Sequence, residues 1–491
     1  MSIVDDSVVS TQQKVEEDAE ATMVINYTQN SEEKETVVDV IFNDQKSSEL
    51  ANDEFRDNSK IPNLSYLQIF ILFLDFGIHA WGGPVAQIAL FKDRFVEKAE
   101  WITISRFNRV FGVYQILPGP EATEFAMYFG QLAGGRFGGL LGGLGFILPG
   151  FLLILLFSYI YEIVGFENDY FNASFRALQP IVAAFVLRAV HKIAEHSFIS
   201  NRTNKFNYWL FGMAILSSIL TALNLNMLIT MGVCGIAFMF IDRKLYLIGI
   251  LVFLLEFVGF GLYIGFNHGI PSPNSLGIGI AKQDELDSGH VFGLGLLTGS
   301  ISFGGAYTTI PFLKAEAVVI GGWMTPATFL DAIAIGNILP APLVMFSCFI
   351  GFQAGLKADG GGTGWGFLYA FLITVGVFTP CFLFTIIGHP YLEKLCRNKF
   401  MAAFFDGIVG SVVGLIAPTA FDLLRSSIIT TGAISVVDEN QRNLIALQRG
   451  AIAAVLYILT LGALYSIKHK MLAILLIISG AIAGQFLFID R

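Results

Sequence analysis

Residues 81–120 read WGGPVAQIALFKDRFVEKAEWITISRFNRVFGVYQILPGP, and residues 303–342 read FGGAYTTIPFLKAEAVVIGGWMTPATFLDAIAIGNILPAP. At a constant offset of 222 and without a gap, the two segments share Gly82/Gly304, Gly83/Gly305, Ile88/Ile310, Lys92/Lys314, Val96/Val318, Trp101/Trp323, Thr103/Thr325, Phe107/Phe329, Ile116/Ile338, Leu117/Leu339, Pro118/Pro340 and Pro120/Pro342. Twelve of forty positions match, and rare tryptophan and paired glycine and proline are among them. Chance is a poor explanation, and the chain reads as a fused duplication.

The sequence around these segments is greasy. Of 491 residues 54% are apolar and 14% charged, with a mean hydropathy of +0.65, where a water-soluble protein carries about 25% charged residues. An integral membrane protein follows. The formal charge of −9 belongs to one end: residues 1–60 hold 15 Asp/Glu against 5 Lys/Arg, and the rest holds 24 acids against 25 bases. Residues 1–62 read as a disordered acidic tail, too polar to offset chain entropy by burial. With no basic, cleavable leader before it, the tail is expected in the cytosol. A nearly neutral body excludes a basic nucleic-acid surface.

From Leu64 onward, apolar stretches near the roughly 20 residues that cross a bilayer recur. They fall near 64–81, 107–132, 138–161, 174–190, 206–223, 226–241, 245–266, 291–309, 328–352, 365–387, 402–424, 449–466 and 471–489. The expected fold is therefore an all-α polytopic membrane protein of about 13 transmembrane helices in two homologous halves. The first half is placed at 63–270, a connecting loop at 271–290 and the second half at 291–491. Seven spans separate the two starts, and an odd number turns the halves over, giving inverted repeats with a site between them as in many secondary transporters. Lys and Arg vote twelve to ten for a cytosolic N-terminus. The five bases between Lys92 and Arg109 run against that vote.

Pro118-Gly119-Pro120 interrupts an apolar run. Each proline removes a donor and clashes with the preceding turn, so the helix must break. A helix restarting at Glu121 points the positive end of its dipole into the membrane, which suits an anion; Pro340-Ala341-Pro342 repeats the break. Gly82-Gly83-Pro84 and Gly304-Gly305 are candidates either for close helix packing or for a tight reversal lining the site. Gly134-Gly135, Gly138-Gly139 and Gly142-Gly143, at i, i+4 and i+8 along one span, read as a packing stripe. Lys92 and Lys314, the bases kept by the repeat, either attract a dianion from both sides or snorkel to the interface. Asp75 and His79, four apart on one helix face, are candidates for proton coupling, and Glu121 and Glu124 for capping the restarted helix.

Cys234, Cys348, Cys381 and Cys396 show no CxxC spacing, the seven histidines form no HExxH pattern, and no GxxxxGK[ST] loop is present. Neither a cofactor, a bound metal, nor direct ATP drive is expected, and no nucleophile–base arrangement suggests an enzyme. The rival readings are a passive anion channel and a membrane-embedded enzyme or sensor that uses its acidic tail to bind partners.

At GGPVAQIALFKDRFV, Trp101 and LPGPEATEFAMYFGQLAGGRFGGLLGGLGFILPG, then SFGGAYTTIPFLKAEAVV, GGWMT and LPAPLVMFSCFIGFQAG, the sequence resembles the chromate ion transporter family in its long two-domain form. The resemblance spans roughly residues 64–424, with Asp331 in its familiar place. It implies a carrier of chromate, often outward, with sulfate as a similar tetrahedral substrate or competitor; a sulfate-type uptake carrier whose chromate handling is incidental is the alternative. A gradient must supply the work, through a coupling proton or a counter-anion. It also implies roles in substrate handling for Gly82, Gly83, Pro84, Pro118, Gly119, Pro120, Gly304, Gly305, Pro340 and Pro342. A multi-pass protein of the plasma membrane, single or as a homo-oligomer, is the expectation. Trp81, Ala341, Asn337, Asp75 and His79 depart from the family pattern.

Overall fold

The computed structural model describes residues 61–115, 117–164, 168–199, 206–282, 286–303, 305–358, 360–388, 398–432, 439–467 and 472–488. The acidic tail, apart from Ile61 and Pro62, and Gly304 lie outside them. Helices carry the described chain, and only isolated bridges of extended backbone occur among these residues.

The first half opens with α1 (Tyr66–Ile78), whose start is fixed by a capping box: the Gln68 amide donates to Ser65 Oγ and the Ser65 amide to Gln68 Oε1. After the glycine turn come α2 (Gly83–Phe91), a π-helical stretch Lys92–Lys98, α3 (Ile104–Tyr114) and, past the break, α4 (Glu121–Val164). The first pair of the expected stripe forms a bend: Gly134 and Gly135 leave helical geometry, Gly135 at φ 63°, so α4 is a hairpin with a short arm 121–133 and a long arm 136–164. The glycine stripe makes the hairpin tight. A Cβ on Gly142 would sit 2.6 Å from the Ala126 carbonyl, and one on Gly143 2.6 Å from Met127. Then follow α5 (Asp169–Phe198), α6 (Tyr208–Ala222), α7 (Met227–Ile241) and α8 (Tyr246–Asn267).

The second half opens with α9 (Ser288–Ser300). The expected loop at 271–290 thus carries a 3-10 turn, Pro273–Leu276, and ends earlier, where Asp287 caps α9 by accepting the His290 amide. A 3-10 turn Ala306–Thr308, α10 (Thr309–Lys314), a π-helical stretch Ala315–Ile320 and α11 (Pro326–Ile338) lead to the second break. Beyond it stand α12 (Phe346–Lys357), α13 (Thr363–Ile386), α14 (Lys399–Gly432), α15 (Glu439–Ser466) and α16 (Leu472–Leu487).

Helices α1 and α9 occupy 66–78 and 288–300, both bounds offset by 222. The matched residues do matched work. Thr103 and Thr325 cap α3 and α11 through the amides of Arg106 and Thr328. The backbone amides of Trp101 and Trp323 close the π-helical stretches onto the carbonyls of Phe95 and Ala317, at 2.8 Å each, with both indoles buried. α1 packs on α4 and α9 on α13, while α14 gathers α5, α6 and α7, and α5 gathers α15 and α16.

The long arm of α4 and α13 run antiparallel. Gly143 meets Phe382, Phe151 meets Phe371 and Tyr159 meets Phe367, so one number rises as the other falls. Among the described residues six helices are long and apolar enough to cross a membrane: 121–164, 169–195, 246–267, 363–386, 400–429 and 445–466. Six more apolar helices among them are shorter. The breaks expected inside the stretches 107–132 and 328–352 are present, since α3 and α11 stop before them, and α1 and α9 stop before the glycine turns.

Candidate functional site

Both breaks lie against the interior of a long helix, not at its ends. A Cβ on Gly119 would fall 2.6 Å from Cys381 Cβ, on α13, and 2.8 Å from Glu124 Oε1; only glycine fits there. At the second break, Ala341 packs against Gly150 on the long arm of α4.

Each break is bonded to the other half's glycine turn. Pro118 forms an antiparallel bridge with Phe303, and the Gly119 amide donates to the Ser302 carbonyl at 3.3 Å, immediately before Gly304-Gly305. Reciprocally, Gln87 on α2, just past Gly82-Gly83-Pro84, donates through Nε2 to the carbonyls of Ala80 and Ala341, 2.9 Å each. The turns use the freedom of glycine: φ is 92° at Gly82, 77° at Gly83 and 107° at Gly305. Pro118, Gly119, Pro120, Pro340, Ala341 and Pro342 are all buried, and Pro84 is half-buried at the start of α2. The Gly119 amide is thus already engaged. The donors that each restarted helix can turn toward a guest are its first-turn amides, at Glu121 and Ala122 and at Leu343 and Val344.

Around the first break aromatic side chains predominate. Phe91, Phe95, Phe125, Phe129 and Trp101 interlock, Phe95 and Phe129 with centroids 4.3 Å apart. Glu124 stands among them, fully buried, with neither carboxylate oxygen hydrogen-bonded among the described residues. The neighbouring Thr123 Oγ1 is buried and likewise unpartnered.

The lysines are not equivalent. Lys92 is half-exposed and pairs with Glu97 at 3.2 Å, within its own π-helical stretch. Lys314 is 8% exposed and forms an ion pair with Asp422 on α14. Asp75 and His79 contact each other at 3.3 Å at the end of α1, with both side chains about two-thirds exposed (65% and 64%). Among the described residues no group of three or more His, Cys, Asp or Glu could hold a metal ion.

Three constellations were not readable as such. Gln87, a lone amide in an apolar stretch, bridges the halves, and the signal was its polarity alone. Asp331 on α11 accepts from Tyr161 on α4 at 2.8 Å and from Gln179 on α5 at 3.0 Å, a buried knot of three helices. Glu316 accepts the amides of Ile278, Gly279 and Ala281 and ties the inter-half loop to the second π-helical stretch.

Comparison with known proteins gives this architecture its family. The profile described as "Chromate transporter" matches residues 67–239 and 290–485. A protein named "Chromate transport protein" from Pseudomonas aeruginosa is 35% identical over 427 residues, 87% of this chain and 94% of that relative. The "Probable chromate transport protein" of Synechococcus elongatus is 26% identical, covering 75% of this chain and 86% of the relative. The "Chromate transport protein" of Cupriavidus metallidurans is 25% identical, covering 75% and 85%. No solved structure matches. The chain belongs to the chromate transporter family, as a long, multi-pass member matched in two stretches.

Proposed function

We propose that this protein is a secondary active carrier of tetrahedral oxyanions, moving chromate outward, with sulfate as a similar substrate or competitor, by alternating access between two inverted halves. One observation carries the reading: each proline break is bonded to the other half's glycine turn, which puts both restarted helices at one seam. The antiparallel course of the long arm of α4 and α13, which correspond at the 222-residue offset, supports the inversion. The relatives' names support chromate.

In this reading the seam is lined by Gly82, Gly83, Pro84, Pro118, Gly119, Pro120, Gly304, Gly305, Pro340 and Pro342. Lys92 and Lys314 raise the local concentration of anions, and first-turn amides hold the guest. Chromate and sulfate are both tetrahedral dianions, so such donors treat them alike. Asp75 and His79 exchange a coupling proton with the surroundings, or a counter-anion takes that role. The protein acts, alone or as a homo-oligomer, in the plasma membrane with its acidic tail in the cytosol; it is not an enzyme.

The membrane potential supplies an outward drive without ATP. Moving one charge across 100 mV is worth about 2.3 kcal/mol. An inside-negative potential of that size therefore favours dianion exit by about 4.6 kcal/mol, roughly a thousandfold in concentration. Labelled chromate and sulfate in sealed vesicles, under imposed potential and pH gradients, test the proposal. Accumulation against the anion's own electrochemical gradient, driven by a second ion, is expected of a carrier. Flux that only dissipates that gradient would make it a channel, and no flux would remove the transport reading.

A further inference from the structure

Glu124 is hard to explain as a cap. A capping carboxylate turns outward to the first-turn amides, whereas this one is fully buried one turn past the first break and bonds to nothing among the described residues. It also crowds the break itself, since its Oε1 lies within 2.8 Å of where a Cβ on Gly119 would be. Next to it Thr123 Oγ1 is buried without a partner. Two unpartnered polar groups are therefore buried in the first turn past the break.

The groups facing Glu124 leave its charge uncompensated. On its own helix stand Glu121, a like charge, and Tyr128. Tyr114 faces it from α3 and Cys381 from α13. Two cations on neighbouring helices are engaged with other groups: Lys192 on α5 acts on Glu121, and Arg106 lies 5.9 Å over the Tyr128 ring. α2 contributes Phe91 on this side, against Phe125.

A carboxylate in that place repels a dianion, whereas a carboxylic acid carries an O–H that donates to it. We propose that Glu124 is the proton-binding group of the oxyanion site, so that a dianion occupies the first break together with one proton on Glu124. The coupling is reciprocal: the anion promotes protonation as much as the proton promotes anion binding. The proton comes from bulk water, no covalent bond in the anion changes, and the loaded site carries one negative charge fewer than the bare anion. This inference rests on the oxyanion-carrier reading and adds its coupling group.

The test uses the purified full-length protein and labelled chromate. Equilibrium binding is measured across a pH series for wild type and Glu124→Gln, whose amide is neutral throughout and keeps a donor. Taking the ratio of the two affinities at each pH cancels chromate's own protonation. Wild-type affinity should fall relative to the variant by up to about tenfold per unit rise in pH. A ratio independent of pH would overturn the proposal. A second measurement needs no variant: above chromate's own protonation range, adding it to wild-type protein in weak buffer should take up about one proton per anion bound. Binding without proton uptake overturns Glu124 and leaves the carrier standing, whereas absence of binding overturns both.

Discussion

The turn after the first break holds Glu121 and Glu124; the turn after the second holds Leu343 and Phe346 at the same offsets. That is the sharpest difference between two regions that share the bounds of α1 and α9, the threonine caps and the π-helical closures. At the first break a fully buried carboxylate and hydroxyl have no partners. At the second, Ala341 is held by its own amide on the Leu339 carbonyl, by Gln87 and by Gly150, and Phe346 packs edge-on against Phe329. Duplication supplies two half-helices, and only the first carries a buried carboxylate in its opening turn.

The largest way to break that comparison is to exchange the central residues. Gly119→Ala drives a methyl into Cys381 Cβ and Glu124 Oε1, both on helices that cannot shift cheaply. Overpacking costs about 1–3 kcal/mol, and at the seam it should reduce chromate flux by more than tenfold. Cys381→Gly in the same chain removes the nearest atom and should restore part of the flux. Ala341→Gly only opens a small gap at the second break, and flux should stay within about twofold of wild type. Equal losses from Gly119→Ala and Ala341→Gly would mean that the two breaks are equivalent after all.

The lysines sharpen the same point in the opposite direction, since here the second half is the buried one. Asp422→Asn strands the Lys314 ammonium, which is 8% exposed. Because the Asp422 side chain is itself half-exposed (51%), the cost should be roughly 2 kcal/mol, below the 3–5 kcal/mol usual for a wholly buried pair. Glu97→Gln frees Lys92 at a solvated site and should cost no more than about 0.5 kcal/mol. Thermal midpoints of the purified variants measure both. If Lys92→Ala lowers flux without lowering the midpoint while Lys314→Ala lowers both, Lys92 handles the anion and Lys314 holds the helices together.

Gln87 comes next. Gln87→Leu removes two donated bonds and leaves the Ala80 and Ala341 carbonyls unsatisfied in a buried seam. A net loss of about 1–2 kcal/mol is expected. Gln87→Glu should fare worse than Leu, since a carboxylate cannot donate to either carbonyl, and the order of the two midpoints checks it.

What could be read from the sequence was what side chains write down. The offset of 222 was legible because Thr103, Trp101 and their partners do local work that needs those residue types: a hydroxyl at a cap, an indole behind a π-helical turn. Span lengths were less legible, since apolar composition does not say where a helix stops, and Gly82-Gly83 was equally compatible with a packing surface. The bond from the Gly119 amide to the Ser302 carbonyl uses backbone atoms alone and leaves no trace in residue identity. Glu124 was visible but misassigned, because Glu121 and Glu124 share the first turn and only tertiary packing decides which faces inward. Asp331 needed Tyr161 and Gln179, 170 and 152 residues away.

The smallest expected effects concern the matched caps. Thr103→Ala and Thr325→Ala each remove a hydroxyl that accepts an N-terminal amide, of Arg106 at 3.3 Å and of Thr328 at 3.1 Å, worth about 1 kcal/mol apiece. Thr325 Oγ1 lies 2.9 Å from Thr328 Oγ1 as well, so its loss also removes a hydroxyl–hydroxyl bond in a half-buried place, worth about 0.5 kcal/mol net. In a chain of this length 1 kcal/mol moves a midpoint by no more than about 2 °C, so the variants must be compared side by side with Thr→Ser at each site, which keeps the acceptor and should recover the wild-type value. A larger loss at Thr103 than at Thr325 would show that the first cap carries a strain the second does not, placing the asymmetry of the halves in the approach to the break as well as in the turn that follows it.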